Sequence, residues 1–99
     1  MKSIKWYADS IDEELEDAKE YAEKAIESRV KNDVSAANKF KEMAHDELKH
    51  STYLHEMAVQ AINEVRQYYT PPVAMLEAWE KSHAEFVERT AWVKQMLSM

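Results

Sequence analysis

The chain has 99 residues, a net charge of −6 at pH 7, no cysteine and no glycine. The acidic balance argues against nucleic acid and anionic membranes as partners, and the lack of cysteine excludes disulfides, thiolate metal sites and thiol catalysis. Without glycine, tight β-hairpin turns are disfavoured, so we expect one all-α domain over residues 1–99. A chain this short is near the lower limit for a self-sufficient core, which favours a homo-oligomer. The sequence shows no signal-peptide core and no bilayer-spanning stretch, so a cytoplasmic location is expected.

The first predicted helix covers about residues 4–29, where apolar residues recur at spacings near 3.6. Ser10 and Glu13 form a capping-box pattern, which leaves open a start six residues later. The segment 31–33 interrupts the pattern, and its asparagine or aspartate can cap the next helix. A connection this short predicts an antiparallel hairpin.

The second predicted helix covers about residues 34–68 and ends before Pro71 and Pro72, because prolines cannot continue the helical hydrogen bonding. The third covers about residues 73–98. The residues of one face of this helix recur at alternating spacings of three and four. This pattern is a heptad seam, which requires a partner helix. Either the overhang of the second helix or a second subunit can supply that partner. The seam consists of Leu76, Trp79, His83, Phe86, Thr90, Val93 and Leu97.

Glu47 and His50 lie in the apolar stripe of the longest predicted helix. At ~100° per residue, Phe40 falls within ~20° of Glu47, and His50 lies one turn along and ~60° to the side. A carboxylate on an apolar face has to be paired, protonated or metal-bound, because burying it alone is costly. The i, i+3 spacing suits two ligands of one cation. The alternative is a buried hydrogen bond to Tyr21, Ser51 or a lysine.

Two further Glu-x-x-His pairs occur in the sequence. Glu42 and His45 lie roughly 140–160° from the stripe centre, so we expect them in solvent and assign them no ligand role. His83 lies in the seam of the third helix, and we expect a core-edge histidine paired with the neighbouring carboxylate of Glu80. His55 lies about 80° from the stripe centre and is expected at its margin.

Glu14 gives the first helix a carboxylate that matches Glu47. It lies within about 40° of Tyr7, Ala18 and Tyr21 on one helix face. In a hairpin that turns near residue 32, Glu14 and Glu47 are level to within roughly one helical turn. Together with His50, we expect them to form half of a metal site. The other glutamates of the first helix are expected in solvent: Glu13, Glu16, Glu20, Glu23 and Glu27.

The segments Glu14-Leu-Glu-Asp-Ala-Lys-Glu-Tyr21 and Asp46-Glu47-Leu-Lys-His50 resemble the ferritin-like di-iron carboxylate superfamily, most of all rubrerythrin-type chains and short half-ferritins such as encapsulated ferritin. The resemblance implies a four-helix bundle completed by dimerisation. Two Glu14/Glu47/His50 sets would then face each other across a two-fold axis and hold two iron (or manganese) ions. Four glutamates neutralise two divalent ions, whereas two would leave a positively charged core.

The resemblance also implies that oxygen or peroxide oxidises bound Fe(II), which is a ferroxidase or oxidase activity. A single-chain site that uses Glu80 and His83 as the second Glu-x-x-His lacks the fourth helix and its glutamate. The third helix is not part of the minimal half-ferritin pattern. The alternative function is a non-catalytic helical interaction protein that retains the fold and offers its methionine- and aromatic-rich face to partner helices.

Overall fold

The computed structural model describes residues 3–99, which form three α-helices and no strand. Helix α1 is Ile4–Val30, α2 is Val34–Arg66 and α3 is Val73–Leu97. The all-α prediction is confirmed, and each helix ends within two residues of its predicted bounds. None of these three helices combines the length and the apolarity needed to cross a lipid bilayer.

Side-chain caps fix the first two helix starts. The Ser3 hydroxyl accepts a hydrogen bond from the backbone N–H of Trp6 at 3.1 Å, so α1 begins early and not at the later capping box. Asn32 forms the turn with φ = 62°, a left-handed conformation that asparagine tolerates better than most residues. Asp33 then accepts from the N–H of Ala36 at 3.1 Å and caps α2. This short turn joins α1 and α2 into the predicted hairpin.

Small side chains dominate the contact between α1 and α2. Leu15 and Leu48 are buried beside them and join the two helices in one core cluster. Because alanine is short, the two helices can approach closely, and the spacing of a helix pair follows from the side chains at its contact. The alanines that are at most 2% exposed are Ala18, Ala22 and Ala25 on α1 and Ala44 and Ala58 on α2.

Helix α3 packs mainly on α1 and makes little contact with α2. The C-terminal part of its seam is buried in the same core through Val93 and Leu97, and Met96 beside the seam is buried with them. Arg89 of α3 binds the carboxylate of Asp12 and lies 3.4 Å from a carboxylate oxygen of Glu16, both on α1. The seam therefore finds partners within the chain. It packs mainly on α1, while Trp79, His83 and Phe86 contact His55 of α2. The resulting molecule is elongated, about 56 × 20 × 16 Å.

Candidate metal centre

The structure brings Glu14, Glu47 and His50 together. One ligand atom from each of the three lies within 4.8 Å of the other two. Nδ1 of His50 is 3.6 Å from Oε2 of Glu14 and 3.9 Å from Oε2 of Glu47. Helix α1 supplies the first carboxylate, and successive turns of α2 supply the second carboxylate and the imidazole. The prediction that Glu14 and Glu47 lie level in the hairpin, with His50 beside Glu47, agrees with this geometry. Their role as metal ligands stays a prediction.

The three side chains lie at the edge of the core and not at its centre. Their exposed fractions are 28% for Glu14, 20% for Glu47 and 53% for His50. The buried face of α2 is centred nearer to Ala44 and Ser51, about 40–60° around the helix from Glu47. Helix α3 packs on one side of the hairpin, where His83 contacts His55, and His55 and His50 lie on opposite sides of Glu47 around α2. The opposite side, which carries the three ligands, remains open.

The pKa of Glu47 is governed by the neighbouring carboxyl group of Glu14. A hydrogen bond with Glu14 raises the pKa of Glu47 to about 7, with loss of hydration and the negative charge of Glu14 adding to the effect and His50 opposing it. Such a bond needs a proton shared between the two acids. When both are ionised, Oε2 of Glu14 is shielded from solvent and has no hydrogen-bond donor in the described part of the chain. A shared proton or a metal ion would supply the missing partner for this oxygen, and the nearest ring nitrogen, Nδ1 of His50, lies 3.6 Å away.

The hydrogen bonds proposed as an alternative to metal binding are not formed among residues 3–99. The Ser51 hydroxyl is fully buried and donates to the carbonyl oxygen of Leu48 at 2.8 Å, so it is engaged within α2. The ring of Tyr21 stacks on that of Phe40, with centroids 6.4 Å apart and planes 21° apart. Tyr21 therefore packs across the hairpin, and neither hydroxyl explains the position of Glu47.

The other histidines divide as the helix geometry indicates, with one exception. Glu42 and His45 are exposed, as predicted. His55 is half-buried, which agrees with its predicted place at the margin of the stripe. His83 is exposed and its hydrogen-bond partner is His55 and not Glu80, so the expected pairing with a carboxylate is wrong. Helical periodicity carries no signal for this contact, because it depends on how α3 is rotated against α2.

Comparison of the chain with protein-family models, with curated proteins and with solved structures finds no match. The resemblance to ferritin-like proteins therefore depends on the two sequence segments that carry Glu14, Glu47 and His50. The geometry of these three residues is independent of that resemblance, because their proximity follows from the fold. Two carboxylates and one imidazole form a donor set that suits Fe²⁺ or Mn²⁺.

Proposed function

We propose that the chain is a ferritin-like metalloprotein in which Glu14, Glu47 and His50 bind iron or manganese. The observation that carries the proposal is the convergence of three ligand atoms within 4.8 Å. The shielded oxygen of Glu14 supports it, because that atom has no donor of its own within residues 3–99. A divalent cation would neutralise both carboxylates and remove their mutual repulsion.

The residues of the site have distinct roles in this proposal. Glu14 and Glu47 supply oxygen ligands and two negative charges, and His50 supplies one imidazole nitrogen. Since the pKa of Glu47 is about 7, this group is about half protonated at neutral pH and must release its proton when a cation binds. Metal affinity should therefore rise with pH through this range. Bound iron would supply one-electron redox chemistry towards oxygen or peroxide, which is the basis of a ferroxidase or oxidase activity.

We further propose that a second copy of the chain completes the site. The side of the hairpin that carries the three ligands is not covered by α3, and apolar side chains on α2 remain exposed near it. Met43 is 40% exposed and Met57 is 43% exposed, on the same side as His50. Two hairpins that pack through this side would form a four-helix bundle with two Glu14/Glu47/His50 sets, while α3 of each copy stays outside it.

The decisive experiment is an anaerobic Fe²⁺ titration of metal-free protein followed by an oxygen pulse. We expect one iron per chain, with binding lost in Glu47→Ala and retained in Glu42→Ala. The second variant is a matched control because Glu42 also belongs to a Glu-x-x-His pair on α2 but lies in solvent. Rapid oxidation of the bound iron would support a ferroxidase or oxidase. Retained stoichiometric binding in Glu47→Ala would refute the site.

The dimer requires a separate measurement. Sedimentation equilibrium of the metal-loaded protein should give twice the chain mass of 11.6 kDa. A monomer that binds one iron would leave the ligands assigned here correct and the shared di-iron centre wrong. Substitution of Met43 by glutamate should weaken the dimer, since it places a charge in the proposed apolar contact.

A helical interaction protein is the second candidate, and the exposed apolar side chains favour it. Tyr53 (53% exposed) and Met57 on α2 can pack against a partner helix without any metal. In that case Glu47→Leu should leave the fold and the oligomer intact and raise the melting temperature, because it removes a partly desolvated charge. If iron raises the melting temperature of the wild type but not that of Glu47→Leu, the hypothesis of a metal-free interaction protein is excluded.

A further inference from the structure

A second pair of imidazoles joins α2 to α3, away from the Glu14/Glu47/His50 cluster. Nε2 of His55 lies 2.7 Å from Nδ1 of His83. An N–H···N bond of this kind needs one ring to donate and the other to accept, so the accepting ring is neutral. If that proton moves to the other nitrogen of its ring, both facing nitrogens carry a lone pair and can bind one metal ion together.

Aromatic packing holds the inner ring of this pair in place. The imidazole of His55 is stacked on Phe86, with centroids 4.4 Å apart and planes 13° apart, and Trp79 lies 5.3 Å from it. His83 is on the solvent side, where its ring can adjust. A pre-positioned ligand loses little side-chain freedom on binding, which is a condition for useful affinity from only two protein ligands.

The surroundings leave room for the remaining ligands of an ion. A cavity of about 330 Å³ adjoins His83 and is also lined by Asn63, Arg66 and Glu80. Water molecules bound to an ion can donate hydrogen bonds to the amide oxygen of Asn63 and to the carboxylate of Glu80. Loss of hydrogen bonds between metal-bound groups and such neighbouring residues commonly lowers metal affinity by about tenfold or more.

We propose that His55 and His83 are the two protein ligands of a second metal site, for a divalent ion that prefers imidazole, such as Zn²⁺, Ni²⁺ or Cu²⁺. Zinc–nitrogen bonds of about 2.0–2.1 Å at a tetrahedral angle place the nitrogens about 3.3 Å apart, so the two rings must separate by roughly 0.6 Å. The proton of the bridging N–H moves to the other nitrogen of its own ring, and no net proton is released when both rings are neutral. The bound ion would hold α3 against α2, where the two helices otherwise make little contact.

The surroundings of His55 favour its neutral form. Burial lowers the pKa of His55 and the neighbouring His83 lowers it further, while Glu56 on α2 acts in the opposite direction. Arg66 of α2 and Glu80 of α3 line the adjoining cavity with opposite charges. His55 is therefore available as a ligand at neutral pH, and Zn²⁺ affinity should fall when acid protonates His55.

The test is a calorimetric Zn²⁺ titration in a His50→Gln background, which removes the imidazole of the Glu14/Glu47/His50 cluster. We expect one tight Zn²⁺ per chain, and a dissociation constant at least about tenfold higher when His83→Gln is added. Adding His45→Gln instead is the matched control, because His45 is an exposed histidine of α2 that belongs to neither site. Equal Zn²⁺ affinity in the His83→Gln and His45→Gln proteins would overturn the proposal and leave an ordinary imidazole–imidazole hydrogen bond.

A second measurement uses the unaltered chain, so that a folding defect in a variant cannot account for the result. On addition of Zn²⁺, the ¹⁵N resonances of Nε2 of His55 and Nδ1 of His83 should shift together, while those of His45 should not. Ni²⁺ should also quench the fluorescence of Trp79, which lies within 6.5 Å of both rings. Unshifted resonances of His55 and His83 would equally overturn the site. The iron titration does not depend on either result, so the two proposals can fail separately.

Discussion

Glu47→Gln should make the protein more stable at pH 8 and leave its stability almost unchanged at pH 5. The pKa of Glu47 is about 7 in the fold and 4.5 ordinarily. Because the folded value is the higher one, the stability that this group contributes is present below pH 4.5 and is lost as the pH rises through 7. The full difference corresponds to about 3 kcal/mol. Since a fifth of the side chain remains in water, we expect about 1–2 kcal/mol between pH 5 and pH 8.

Urea unfolding in the presence of a chelator measures this effect. With an m-value of about 1–2 kcal/mol/M, the midpoint of the wild type should fall by roughly 1 M between pH 5 and pH 8, and that of Glu47→Gln should fall much less. The glutamine is neutral and can donate its amide hydrogen to Glu14, so the contact survives. Glu42→Gln removes the same charge from an exposed position and should follow the wild type. If both variants show the same pH dependence, the shared proton between Glu14 and Glu47 is refuted.

Two further predictions concern the hairpin itself. Leu15→Ala should lower the unfolding free energy by about 2–5 kcal/mol and the melting temperature by about 10 °C or more, because Leu15 is 1% exposed. The control is Val87→Ala at an exposed position of α3, which should lower the unfolding free energy by less than about 0.5 kcal/mol. Asp33→Ala should lower the unfolding free energy, measured by chemical denaturation, by about 1 kcal/mol, because it removes the side chain that accepts from the N–H of Ala36. Asp46→Ala, at an exposed mid-helix position, is the control and should change the unfolding free energy little.

Most of the fold follows from local chemistry. The apolar period of 3.6 and the turn at 31–33 predict the helix bounds to within two residues. Both patterns can be read from residues that are close in the sequence. Helix α2 ends at Arg66, two residues before its predicted end, because the N–H groups of Tyr68 and Tyr69 both turn back to the carbonyl oxygen of Val65. The approach to Pro71 disfavours helical backbone there. The prediction that α2 continues to Tyr68 ignored this effect.

The proximity of Glu14, Glu47 and His50 was predictable for a similar reason, whereas the contact between His55 and His83 was not. The levels of Glu14 and Glu47 follow from counting residues on both sides of one short turn, which a sequence allows. The contact between His55 and His83 joins helices separated by the segment 67–72. Its geometry depends on the rotation of α3, which packs mainly on α1 and only slightly on its sequence neighbour α2. Periodicity identifies the apolar face of a helix and does not identify the helix that covers it.

The alanines between α1 and α2 have a consequence for conformational entropy. An alanine loses no rotamer freedom when it is buried, whereas a glutamate loses up to about 2 kcal/mol. The five alanines that are at most 2% exposed therefore order the hairpin without restricting their own side chains. Glu14, Glu47 and His50, which are only partly buried, still have side-chain freedom to lose on this side of the hairpin. A ligand that orders these three must compensate for their immobilisation, and affinity will depend on how rigidly the surrounding helices already hold them.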